Sequence, residues 1–196
     1  MQLPLFPLNT VLFPGGVLPL KVFEQRYIDM TKVCLSEDRP FGVCMIVKGD
    51  EVARPGAATP DVANVGTLAR IRNWDMPQLG ILHVTTLGGS RFLVEAHSVD
   101  ASGLLVGKVK SIPDEAKVSI APAHAPLVRL LEIIAARLGP ANFPDEVAYD
   151  DASWVGYRLA ELLPLPLPIK QSMLEINDAG VRLEVLQRFL QQQGLI

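Results

Sequence analysis

The chain is poor in the residues that most catalytic and metal chemistry needs. In 196 residues it has three histidines, His83, His97 and His124, and two cysteines, Cys34 and Cys44. The histidines fall at no metal-ligand spacing with one another or with the cysteines. Two cysteines cannot make a disulfide framework. Their apolar contexts, KVCL and GVCMIV, predict buried free thiols. No two glycines are separated by a single residue, so GxGxxG is excluded. Gly107-Lys108 is followed by Val109, which excludes a P-loop. GxSxG and HExxH are missing, and no serine has a lysine three residues on. These absences remove the known local signatures for cofactor, metal and nucleophile. A hydrolase site dispersed along the chain stays open as an alternative.

Clustered positive charge is also scarce. Lysine and arginine number 18 against 21 acidic residues, a net charge of −3. Only Arg70/Arg72 and Lys108/Lys110 stand close together, too few to track a phosphate backbone or an anionic membrane. Neither nucleic acid nor membrane is therefore an expected partner. The opening run, residues 1–27, is apolar enough to suggest an anchor or export signal. Pro4, Pro7, Pro14 and Pro19 with Gly15-Gly16 forbid one unbroken helix, each interior proline costing roughly 3 kcal/mol. No basic residue precedes the run and no small-residue cleavage site follows it. Short extended pieces joined by turns are expected, in a cytoplasmic protein.

What is present is hydrophobic patterning. Tyr27, Ile28, Thr31, Cys34 and Leu35 fall on one face of a helix over 24–36. FGVCMIV, 41–47, reads as a strand buried on both faces. Residues 48–64 lack periodicity and read as a long loop. Strands follow at 65–74, 79–87 and 104–112. Gly88-Gly89-Ser90 reads as a hairpin loop, which would pair Thr86 with Phe92, Val84 with Val94, Leu82 with Ala96, and His83 with Glu95. Beyond Pro113 the composition changes. The division is a β-rich part over 1–112, a proline-containing linker over 113–125, and a helical part over 126–196. Helices are expected at 126–138 and 152–163. After LPLPLPI the first has Pro168 in its first turn, and the last is capped by Asn177 or Asp178. Asp150 or Asp151 caps the helix at 152.

Several of these segments together resemble one family. LPLFPLNTVLFPGGVLPLKVFEQRY (3–27), VGTLARI (65–71), GGSRF (88–92) and LPLPLPIKQSMLEINDAGVRLEVLQ (163–187) are similar, in order, to motifs of the Lon protease N-terminal domain family. The resemblance implies an α+β fold: a PUA-like β pseudo-barrel with one early helix, then a C-terminal helical bundle. It implies a protein-recognition module for unfolded or partner polypeptides, without the ATPase and protease modules of the full protease. It brings no catalytic residues, no cofactor and no metal. PUA-like barrels also bind RNA, a third reading that the acidic balance disfavours.

Recognition without a fixed sequence needs exposed apolar surface. Trp74, Met76 and Pro77 interrupt the 65–87 hairpin, and Phe143 sits in a loop at 139–150; these four are the candidate partner-binding residues. Core packing accounts better for Trp154 and Tyr157. A structural place beside the expected 88–90 turn accounts for Arg91.

Overall fold

The computed structural model describes residues 1–52, 59–139, 143 and 147–196. The expected loop at 48–64 and the segment around Phe143 therefore lie partly outside the described residues. The chain divides into two compact units, Met1–Pro113 and Asp114–Ile196.

In the first unit, β1 (Gln2–Leu8), β2 (Val17–Val22) and α1 (Gln25–Ser36) are followed by β3 (Phe41–Lys48) and β4 (Asp61–Val62), then by β5 (Val65–Gln78), β6 (Ile81–Val99) and β7 (Leu105–Ser111). The sheet runs β1-β7-β6-β5-β3 and returns to β1 through a parallel β1–β3 pairing, which closes the barrel. All the other pairings are antiparallel. Alternation along β1 serves two cores. Leu3 and Leu5 pack with Cys44, Phe92 and Val109. Phe6 and Leu8 pack with Tyr27, Ile28 and Cys34 of α1 and with Leu82 and Val84. The α1 face is the one its spacing predicts: Tyr27, Ile28, Thr31 and Cys34 are buried, and Met30 with them. Thr31 satisfies its hydroxyl by donating to the Tyr27 carbonyl at 2.7 Å.

The expected hairpin at 88–90 does not form. β6 passes straight through Gly88-Gly89-Ser90 as a single strand, and neither glycine has positive φ. The turn lies instead at Leu79-Gly80, where Gly80 has φ 82°. The paired registers change accordingly. Thr86 faces Leu18 and Ile71, Phe92 faces Gly66 and Ser111, and Val94 faces Val109. His83 lies between Lys21 and Asp75, and Glu95 pairs with Lys108 at 3.4 Å. Gly88 is glycine for a different reason: a Cβ there would stand 2.2 Å from the Phe13 carbonyl oxygen. An isolated glycine inside a strand often marks such a close backbone approach. Arg91, without a turn beside it, is buried inside β6, and its carbonyl accepts from Ile112 N–H.

The second unit holds α2 (Ala125–Leu138), α3 (Ala152–Leu162), α4 (Leu167–Glu175) and α5 (Ala179–Gln192). Asp151 caps α3 by accepting from Ser153 N–H, and Asp178 caps α5 by accepting from Val181 N–H. Pro168 occupies the first turn of α4. The core is a leucine layer that includes Leu127, Leu131, Leu159, Leu183 and Leu186. Two arginines, Arg158 and Arg182, are fully buried in it. Arg182 donates to both Glu115 carboxylate oxygens, at 2.9 and 2.5 Å, and to the carbonyls of Met173 and Ile176. Its guanidinium lies 3.9 Å from the Tyr157 ring centre.

Candidate functional site

The candidate site lies in the first unit, where β2, the first half of β6 and the second half of β5 run side by side. From Arg72 to Gly80 every residue is exposed, so the end of β5 is a solvent-facing arm. Trp74, Met76 and Pro77 lie within β5 on this arm, and the β5–β6 register shifts across Met76-Pro77, between the Asp75–His83 and Gln78–Ile81 pairs. Trp74 is 52% exposed, Met76 39% and Leu79, at the turn, 93%. Phe143 belongs to the second unit and is buried there, edge-on to Trp154 at 5.8 Å. Three of the four candidates thus share this arm, and Phe143 belongs to the other unit's core.

Register explains what Trp74 joins. Trp74 faces Val84, and Val84 faces Leu20. Residues directly opposite share a face of a sheet, so Leu20, Val84 and Trp74 form an apolar row across three strands. Alternate rows present the other face: Pro19–Thr85–Asn73 and Lys21–His83–Asp75. A shallow depression of about 370 Å³ is lined by residues of both kinds of row, Leu20, Val84 and Trp74 among them.

The apolar row leads into a groove of about 270 Å³ between β1, β2 and the start of α1. Its walls include Phe6, Leu8, Leu18, Leu20 and Tyr27, with Phe23, Glu51 and Val52 at its rim. Phe23 and Val52 are exposed large apolar residues in their own right. Tyr27 stacks on Phe6 with ring centres 4.0 Å apart and planes 8° from parallel. Burial pushes its phenol up to about 12, against the nearby Arg26 charge and with Glu24 and Glu51 adding to the rise. Sequence reasoning missed this groove, because Tyr27 and Leu20 read as ordinary core positions. The available signal was β2 itself, an apolar strand ending in an exposed Phe23.

Neither cysteine is placed as a reactive nucleophile. Burial raises both cysteine thiols, Cys44 to about 12, away from the reactive thiolate. Among the described residues no group of three or more His, Cys, Asp or Glu is placed to hold a metal ion. Among them, too, no helix is long and apolar enough to cross a membrane.

Comparison with known proteins agrees with the fold. The chain is 28% identical over 193 residues to the Lon protease of Phenylobacterium zucineum, covering 95% of this chain and 24% of that protein. It therefore spans about a quarter of the length of that relative. The Lon N-terminal domain protein from Xanthomonas campestris has the same fold, with TM-score 0.77 and 34% identity over 96% of this chain and 98% of that one. The N-terminal domain of Mycobacterium avium complex Lon protease shares the fold at TM-score 0.64 and 16% identity, over 95% and 96% of the two chains. The family model for the ATP-dependent protease La (LON) substrate-binding domain matches residues 2–192, and the chain belongs to that family.

Proposed function

We propose that the chain is a non-catalytic recognition module that takes apolar segments of unfolded or partner polypeptides onto the exposed Trp74 end of the Leu20–Val84–Trp74 row, with Met76 and Pro77 beside it. The observation that carries this reading is the exposure of Trp74 in line with two apolar neighbours. The indole stands half in water at the edge of the core, in line with the buried Val84 and the half-buried Leu20, and Met76 and Leu79 on the same arm are exposed beside it, so a partner meets more than a lone apolar residue. Aromatic anchors of this kind dominate the energetics of protein interfaces. The family supports the class of ligand, since its matched domain is a substrate-binding one rather than a proteolytic one. A nucleic-acid role has less support. Arg70 is paired with Asp38 at 2.9 Å and Lys108 with Glu95, so the expected basic positions are partly neutralised.

The test is titration of a chemically denatured, alkylated protein into the full chain, followed by isothermal calorimetry. Wild type should bind, and Trp74→Ala should weaken binding by at least about thirtyfold, the loss of a hot spot of about 2 kcal/mol or more. It should leave the unfolding midpoint within a few tenths of a kcal/mol of wild type, as expected of an exposed position. Equal binding by both proteins would refute the assignment of this row.

A further inference from the structure

The groove beside the apolar row has features that apolar capture alone does not require. Tyr27 lines it and is only 3% exposed. Its ring is fixed by Phe6 stacking and by the Arg26 guanidinium, 4.5 Å from the ring centre. The hydroxyl is therefore held in one place. Among the described residues it makes no hydrogen bond, although the Tyr27 carbonyl accepts from Thr31. Nor is it one of the polar atoms sealed from solvent without a partner, so it opens into the groove. Burial keeps it protonated and hence a donor. A phenol held in one place, open to the groove and committed to no partner in the fold, can donate to a ligand carbonyl.

The charges around the groove are unbalanced. Its charged lining is Lys21, Glu24 and Glu51. Glu24 is neutralised by Arg26 at 3.0 Å. Lys21 alternates with Leu20 and Val22, which places its side chain on the polar face with His83 and Asp75. Glu51 accepts from Asn9 N–H at 2.5 Å, a neutral donor, and has no cationic partner among the described residues. Among the described residues the rim thus presents one carboxylate without a cationic partner. The volume, about 270 Å³, lies at the small end of ligand sites and is enough for one bulky side chain. The outer edge of β2 is open among the described residues, since β2 pairs only with β6. Pro19, lacking an N–H, and the charged Lys21 blunt that edge against strand addition. Insertion of a side chain is the mode that remains.

We propose that this groove is a subsite for one aromatic or branched aliphatic side chain of a bound polypeptide, whose backbone carbonyl accepts from Tyr27 and whose sequence neighbour is a lysine or arginine facing Glu51. The occupant is a basic-apolar segment of another chain, argued from the charge complementarity of the rim. The inference rests on polypeptide recognition as the function and narrows it to a sequence preference.

The experiment uses short fluorescein-labelled peptides of Gly, Ser and Asn that carry Phe-Lys, Phe-Glu or Gly-Lys at their centre, followed by anisotropy with the full chain. Phe-Lys should bind about two- to fivefold more tightly than Phe-Glu at low salt, the span expected of a part-exposed charge pair, and the difference should shrink in high salt. Gly-Lys should not bind. Glu51→Lys should invert the order of Phe-Lys and Phe-Glu. Tyr27→Phe should weaken Phe-Lys about two- to tenfold while leaving the urea midpoint unchanged, since the hydroxyl contributes no bond to the fold. Equal binding of Phe-Lys and Phe-Glu by wild type, or an order unaltered by Glu51→Lys, would overturn the proposal. If both Phe peptides bind equally and both are lost in Trp74→Ala, this subsite falls and polypeptide recognition stands. If neither the peptides nor denatured protein binds, both fall.

Discussion

Replacing Glu115 by alanine should destabilise the second unit by about 3–5 kcal/mol, the range for removing one partner of a buried ion pair. The Glu115 side chain is 7% exposed and that of Arg182 is fully buried. Glu115 accepts four hydrogen bonds: two from Arg182, one from the Ser153 hydroxyl at 2.8 Å and one from Tyr157 at 2.8 Å. Truncation would leave a guanidinium charge buried among Tyr157, Met173 and Ile176 with only neutral acceptors. It would also leave two hydroxyls without their acceptor. Set against a typical total of about 5–15 kcal/mol, this is enough to melt a unit of ordinary stability at modest temperature. The two tryptophans make the measurement clean. Trp74 is in the first unit, while Trp154, in α3, lies 5.3 Å from Tyr149 in the second. In a Trp74→Phe background, Trp154 fluorescence therefore follows urea unfolding of the second unit. The control is Glu184→Ala, which removes only a surface contact to Arg188 at 3.8 Å and should cost little. The double variant Glu115→Leu/Arg182→Met should be more stable than Glu115→Ala alone, because no charge is left buried. A Glu115→Ala loss under about 1 kcal/mol, or a double variant no better than the single, would refute this account of the cluster.

Burial works to raise the Glu115 pKa, and the Arg182 charge with the Ser153 and Tyr157 hydroxyls outweighs it, holding the carboxyl below its ordinary value. A depressed folded-state pKa stabilises fully above the ordinary carboxylate range and loses its contribution as pH falls through the folded value. The difference in urea midpoint between wild type and Glu115→Gln should therefore be constant at neutral pH and narrow in acid; a difference that widens in acid would contradict the sign. In the first unit, Gly88→Ala should cost at least about 1–3 kcal/mol through overpacking against the Phe13 carbonyl. Gly89→Ala, whose nearest contact would be 3.6 Å away, should be tolerated in the same strand by thermal unfolding.

The helices were legible because their signals are local. Asp151, Asp178 and Pro168 act within one turn of where they stand, and the buried stripe of α1 follows from spacing alone. The 88–90 turn was misread for a physical reason. Gly-Gly-Ser between two alternating runs fits a hairpin, and the same alternation fits one uninterrupted strand. Only a contact with Phe13, seventy-five residues away in sequence, decides between them. Glu115 was invisible for a similar reason. It lies in a stretch without periodicity, and the charge that holds it there comes from a distant helix. Trp74 and Met76 stood out because they interrupt a polar run of Asn73, Asp75 and Gln78. Tyr27 was hidden by its own pattern, since a residue on the buried stripe of a helix reads as core even when its hydroxyl opens into a groove.

The crossing at Gly88 also fixes where the candidate site can be. Gly15 N–H donates to the Gly88 carbonyl and Gly88 N–H to the Gly16 carbonyl, both at 2.8 Å, while Thr67 and Thr86 bond the carbonyls of Leu12 and Leu18. These bonds pin the Pro14-Gly15-Gly16 turn to the middle of β6 and so set the register of β2, with Val17 opposite Leu87 and Leu20 opposite Val84. Side chains alternate with a period of two, so a slip of one residue would exchange the two faces of β2. Lys21 would then replace Leu20 beside Val84, and the apolar row would be cut between the groove and Trp74. The turn near the start of the chain and the tryptophan sixty residues later thus belong to one device. Phe13 and Gly88 bring the backbones together, the register follows, and only then does Trp74 have an apolar surface to extend.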